Sequence, residues 1–156
     1  KQLVSISKLV GSDVILGLNP SCLILNSSNK IKHFSNCKRI YTLIVKPNFG
    51  CSTRRIYSKV KKFSRAKFNR VSKKMLDFKY LKIAKNDLQP IAISIYPKMK
   101  LIKRFLENLS TTVFVRMTGS GSALVAYFQT KENCDKAKKQ FKKKYKNYWC
   151  IASKTI

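Results

Sequence analysis

Acidic side chains are scarce in this chain: 6 of its 156 residues are Asp or Glu, against 34 Lys and Arg, a formal net charge of +28. Histidine and tryptophan occur once each, proline four times and glycine five times. The lone His33 and the scattered Cys22, Cys37, Cys51, Cys134 and Cys150 contain no Cys-x-x-Cys pair. A zinc site needs clustered ligands at short spacing, so that chemistry is excluded. An odd cysteine count without a secretory leader fits reduced thiols in a cytosolic protein better than a disulfide scaffold. No base stands near any of these cysteines in the sequence to activate it as a nucleophile. No run approaches the roughly 18 apolar residues of a membrane span. The shortage of acids does not amount to disorder, because 44% of the residues are apolar and 11% aromatic, more than a solvated basic tail carries. The length suits one domain, or one and a half.

The positive charge invites a nucleic-acid reading, since neutralised phosphates release counterions. Yet only seven of the basic residues are arginine (Arg39, Arg54, Arg55, Arg65, Arg70, Arg104 and Arg116). Arginine is the side chain suited to bidentate phosphate and guanine contacts. Abundant Lys, Asn and Ile fit the compositional drift of a genome rich in A and T. Incidental basicity therefore ranks ahead of selected polyanion binding.

Along the chain, Leu3, Ile6, Leu9 and Val10 recur at helical spacing until Gly11 breaks the pattern. Residues 21–25 and 41–46 read as short strands, and Pro47-Asn48-Phe49-Gly50 as a turn. Ser52 or Thr53 can then cap a helix that runs to about residue 60. Residues 61–85 are densely basic and poorly patterned, which reads as a connection with a weak helix and as a domain boundary. Helices are expected over 86–95 and 99–108, strands over 114–117 and 123–128, a basic helix over 131–145 and a last strand over 149–153. That order suits an α+β layer, with helices on one face of a small antiparallel sheet.

Chemistry concentrates in three segments. Arg116-Met117-Thr118-Gly119-Ser120-Gly121-Ser122 lies between two strand-like runs. Its glycines let backbone approach a ligand, its N–H groups can form an anion-binding concavity, and its hydroxyls suit phosphate oxygens. A plain tight turn explains the same residues, and the segment matches neither the P-loop nor the dinucleotide-binding pattern. Gly11-Ser12-Asp13-Val14 places a rare carboxylate where a helix ends. Asp13 could take a proton from a substrate hydroxyl or simply cap the helix. In Pro47-Asn48-Phe49-Gly50-Cys51-Ser52-Thr53, followed by Tyr57, a helix start exposes N–H groups and a tyrosine one turn on can stack a flat ring or merely pack.

In order and spacing, Gly-Ser-Asp-Val at 11–14, Ile-Val-Lys-Pro-Asn-Phe-Gly-Cys-Ser-Thr at 44–53, Asn-Asp-Leu-Gln-Pro at 86–90 and Arg-Met-Thr-Gly-Ser-Gly-Ser at 116–122 form a set. Together they resemble the C-terminal portion of the diphosphocytidyl-methylerythritol kinases, within the GHMP small-molecule kinases. The resemblance implies the end of an N-terminal ATP- and substrate-binding domain over residues 1–62. A ferredoxin-like GHMP C-terminal domain over 63–156 would follow. It also implies a phosphotransferase of non-mevalonate isoprenoid synthesis, with ATP as co-substrate, Mg2+, and a cytidine-diphosphate-linked methylerythritol as the alcohol. Asp13 matches the family's catalytic aspartate, and Thr53 and Tyr57 resemble positions that contact and stack the cytosine. Thr118, Gly119, Ser120, Gly121 and Ser122 fall on the third superfamily motif, which supports the phosphates.

Two departures stand out: Ile15 follows Asp-Val where the family usually has Pro, and Ser27-Ser28-Asn29-Lys30 replaces a Gly-x-Gly-Glu. The family's early lysine and its glycine–serine-rich ATP loop have no counterpart here, and the first residue is Lys1 rather than Met. The chain is therefore expected to be a truncated piece, inactive alone, in a bacterial cytoplasm. The alternatives are a sibling kinase of the superfamily and a small basic α+β RNA-binding module. The latter would gather Lys and Arg with stacking aromatics on one sheet face.

Overall fold

The computed structural model describes residues 2–10, 14–18, 21–26, 30–65 and 71–155. The elements run α1 (Gln2–Val10), α2 (Val14–Gly17), β1 (Cys22–Leu25), β2 (Ile31–Phe34), β3 (Tyr41–Lys46) and α3 (Thr53–Tyr57). A 3-10 turn (Lys73–Leu76) leads to α4 (Phe78–Ile83), α5 (Leu88–Ile95), α6 (Lys98–Glu107), β4 (Phe114–Met117), β5 (Leu124–Phe128), α7 (Lys131–Lys144) and β6 (Trp149–Lys154). They fall into two compact units, one drawn from residues 1–39 and 65–81, the other from 40–64 and 82–155.

The second unit is built on a four-stranded antiparallel sheet of order β4-β5-β3-β6. With its crossovers the chain runs β-α-β-β-α-β, the split βαβ arrangement of ferredoxin-like domains. Period-two alternation puts one face of this sheet in the core. On β3, Leu43 faces Ala126 and Ala152, and Val45 faces Leu124 and Cys150. Val115, Met117 and Phe128 complete the buried face. Helices α6 and α7 cover it, offering Met99, Ile102 and Leu106 from one and Cys134, Ala137 and Phe141 from the other. The larger of these, Met99, Ile102, Leu106 and Phe141, each contribute about 1.5–3 kcal/mol on full burial.

The ends of α7 follow from its sequence. Thr130 caps it by accepting from the Asn133 N–H at 3.2 Å. Glu132 sits in its first turn and Lys142, Lys143 and Lys144 in its last, each charge complementing the helix dipole. Strand β3 is hydrogen-bonded on both sides, so the boundary expected between residues 62 and 63 falls inside this unit. A central strand cannot be cut from its ladder without leaving two rows of backbone groups unpaired.

In the first unit, β1 and β2 form an antiparallel hairpin with Cys22 opposite Phe34 and Leu25 opposite Ile31. Asn26 closes it, donating its N–H to the Lys30 carbonyl at 3.0 Å and accepting the Lys30 N–H on Oδ1 at 2.9 Å. Strand β2 and the single turn α2 are additions to the sequence reading, each too short to show a period. Helix α1 has the expected extent, and its Leu3, Ile6, Leu9 and Val10 are exposed. No described helix is long and apolar enough to cross a membrane.

Candidate functional site

Strand β3 ends at Lys46, and the chain turns through Pro47 to Cys51 before entering α3. Lys46 holds this turn by donating from Nζ to the carbonyls of Pro47 (3.1 Å) and Phe49 (3.0 Å). Ser52 caps α3, its hydroxyl accepting the Arg55 N–H at 3.2 Å. The Tyr96 ring stacks on Phe49, with centroids 6.5 Å apart, and its hydroxyl oxygen accepts the Ser52 N–H at 3.0 Å. The start of α3 is thereby held from two sides, and Thr53 occupies its first turn.

The second component is the loop between β4 and β5. Thr118 donates its N–H to the Ala123 carbonyl (3.1 Å), and Gly121 to the Thr118 carbonyl (2.9 Å). Gly119 and Gly121 adopt φ of +51° and +88°, the left-handed region that glycine enters without a steric penalty. A Cβ on Gly121 would stand 3.0 Å from Met117 Sδ and 3.3 Å from Cys51 Sγ, so space and conformation both call for glycine there.

The segment before α5 braces this loop. Asn86 Nδ2 donates to the carbonyls of Met117 (2.9 Å) and Gly119 (2.8 Å), while its Oδ1 accepts the Leu88 N–H (3.0 Å). Gln89 Oε1 accepts the Met117 N–H at 2.8 Å. Ser122 is buried and donates its hydroxyl to the Phe49 carbonyl at 2.6 Å, tying the loop to the turn after β3.

These constraints bring Thr53 Oγ1 and Ser120 Oγ to 2.7 Å at the surface. Thr118 and Gly119 are exposed beside them, and Gly121 lies half-buried beneath. Tyr57 stands one turn along α3 on the side of Thr53, with 51% of its surface exposed. Arg54 and Arg55 on the same helix are exposed. Burial pushes the Cys51 thiol up, against the opposing pull of Lys46. That shift disfavours the thiolate form a nucleophile needs.

Thr53, Tyr57 and the 118–122 loop thus belong to one unit, in which Thr53 meets Ser120 and Tyr57 lies one helical turn from Thr53, whereas Asp13 lies outside the described residues. The exposed hydroxyls suit hydrogen bonds to phosphate or ribose oxygens, and the open tyrosine ring suits a flat base. Among the described residues, no group of three or more His, Cys, Asp or Glu side chains could hold a metal ion. Sequence reasoning missed Lys46, Asn86, Gln89 and Tyr96 as builders of the site. The one signal for two of them was the Asn-Asp-Leu-Gln-Pro segment, whose order in the chain did not disclose that its amides reach the loop.

Residues 60–147 match the family model described as GHMP kinases C terminal. Over 151 residues the chain is 53% identical to a 4-diphosphocytidyl-2-C-methyl-D-erythritol kinase of Pelagibacter ubique (strain HTCC1062), covering 97% of this chain and 54% of that protein. A protein of the same name from Wolbachia pipientis wMel is 31% identical over 153 residues, covering 94% and 52%. A crystal structure of 4-(cytidine 5'-diphospho)-2C-methyl-D-erythritol kinase has the same fold, with a TM-score of 0.77 at 18% identity over 96% of this chain and 56% of that one. The chain spans about half the length of the relatives it matches.

Proposed function

The chain belongs to the GHMP kinases, and from that membership we propose that it forms the C-terminal, substrate-facing portion of a kinase. The reaction is transfer of the γ-phosphoryl group of ATP to the 2-hydroxyl of 4-(cytidine 5'-diphospho)-2-C-methyl-D-erythritol. The observation that carries this reading is the contact between the Thr53 and Ser120 hydroxyls, with the exposed Tyr57 one helical turn along from Thr53. The names of the relatives at 53% and 31% identity support the same alcohol.

In this reading Tyr57 stacks the cytosine and Thr53 hydrogen-bonds it, while Thr118, Gly119, Ser120 and Gly121 stand by the phosphates. Thr118 and Gly121 use their N–H groups within the loop, and Ser122 uses its hydroxyl on Phe49. Anion contacts therefore fall to the Ser120 hydroxyl and to the N–H groups of Gly119 and Ser120. Residues ahead of β3 close the domain that binds ATP and substrate, and Asp13 takes or orients the proton of the 2-hydroxyl. The 2-oxygen bonds to the γ-phosphorus as the bond to the β–γ bridging oxygen breaks, ADP departs, and the proton passes to Asp13 and then to solvent. Mg2+ would accompany the nucleotide, neutralising the charge on its phosphates. The setting is the bacterial cytoplasm, where ATP is supplied.

Matches to kinases favour this reading over RNA binding. The test joins this chain to the half of the Pelagibacter ubique relative that it does not span. With ATP and the cytidine-linked alcohol, the joined protein should yield a new phosphomonoester by phosphorus NMR. A folded joined protein that makes none, or that phosphorylates alcohols lacking cytidine equally well, overturns the proposal.

A further inference from the structure

The site's hydroxyls can meet a ligand only if the loop that carries Ser120 holds one conformation. Two of its residues, Gly119 and Gly121, have positive φ. Three observations outside the loop bear on this. The Asn86 amide bridges the carbonyls of Met117 and Gly119, one on each side of Thr118. Its own oxygen is fixed by the Leu88 N–H at the start of α5. Gln89, the residue after Leu88 on α5, accepts the Met117 N–H and so grips the last residue of β4.

We propose that Asn86 is a positioning residue for the candidate site, with Gln89 as its partner. Together they hold the 118–122 loop so that Ser120 stays in register with Thr53. The proposal rests on the kinase reading for its functional consequence but not for its structural one. Chemistry supports the assignment. Two carbonyl oxygens that converge on one point need a doubled donor, and a primary amide supplies two N–H bonds from a single nitrogen. Its remaining acceptor is the only atom of the side chain that can cap α5. A carboxylate at position 86 would keep that cap, lose both donors and set a negative charge against two carbonyl oxygens. The Asn86→Asp variant therefore separates the loop function from the helix cap. At position 89 the acceptor alone matters, so Gln89→Glu retains the bond and Gln89→Met removes it at nearly constant shape.

The first arm uses this chain alone and reads amide hydrogen exchange. Asn86→Asp should speed exchange at residues 118–122 about tenfold, the effect of losing bonds of this kind, while the sheet amides of Leu43 and Phe128 hold. Gln89→Met should speed exchange at Met117 and the loop, and Gln89→Glu should restore the parent rates. The second arm uses the joined protein. There Asn86→Asp and Gln89→Met should raise KM for the cytidine-linked alcohol about tenfold and leave kcat within about threefold, because a loosened loop is reordered on binding. Should Asn86→Asp fail to fold, the Gln89 pair decides. Unchanged loop exchange in the variants overturns the assignment, as does a loosened loop with unchanged KM. An inactive joined parent contradicts the kinase reading instead, and the exchange arm still judges the brace.

Discussion

Thr53 and Ser120, 67 residues apart in the chain, meet hydroxyl to hydroxyl with Oγ1 and Oγ separated by 2.7 Å. One stands in the first turn of α3 and the other at the tip of the β4–β5 loop, so the pair joins the two segments expected to face base and phosphate. Exposed hydroxyl pairs add little to folding, about 1 kcal/mol or less. Thr53→Val should therefore leave the urea midpoint nearly unchanged, yet weaken binding of the cytidine-linked alcohol to the joined protein about tenfold by calorimetry. Thr53→Ser, which keeps the hydroxyl, should bind like the parent.

The two loop glycines should differ. A methyl on Gly121 meets Met117 and Cys51 at φ of +88°, whereas one on Gly119, at +51°, finds open space. Gly119→Ala should cost about 1 kcal/mol from backbone strain alone. Gly121→Ala adds crowding and should cost about 2–4 kcal/mol in all. Urea unfolding of the two variants measures the difference, and equal costs would contradict the packing described under Gly121.

Tyr96 offers a cleaner subtraction. Tyr96→Phe keeps the stack on Phe49 and removes only the acceptor for the Ser52 N–H. The loss should be about 1 kcal/mol, with faster amide exchange at Ser52 and Thr53 as the local signature.

Cys134 gives the fold a pH dependence. Desolvation first, and the neighbouring Asp135 second, push its thiol up to about 11 from an ordinary 9.0. The unfolded chain then releases this proton at lower pH than the folded one. Stability contributed by the protonated thiol is complete below pH 9 and is lost as pH rises toward 11. Urea midpoints should fall across that window, and Cys134→Ala should reduce the slope, leaving the part owed to Cys22, Cys51 and Cys150, whose thiols burial also pushes up.

Much of the second unit was legible because its elements carry their own periods. Leu43 and Val45 alternate along β3, and Cys134, Ala137 and Phe141 recur along α7, so types and extents followed from spacing. The order of helices and strands disclosed the α+β class. The membership of β3 did not follow, since its partners β5 and β6 lie far along the chain and the basic stretch between reads as a connection. Within the site, Gly119 and Gly121 were conspicuous because few glycines occur and the loop needs positive φ. Asn86 was not, for it stood as the first residue of the helix expected over 86–95, and nothing local reveals carbonyls arriving from β4. Ser122, read as a hydroxyl for phosphate, is buried on the Phe49 carbonyl.

The most direct test of the kinase reading is the turnover of the joined protein with ATP and 4-(cytidine 5'-diphospho)-2-C-methyl-D-erythritol, before and after Asp13→Asn. The account predicts steady phosphorylation by the parent and a fall of about 10²–10⁴ in kcat for the variant, the usual worth of a positioned general base, with unfolding unchanged. Turnover unaffected by Asp13→Asn would contradict it.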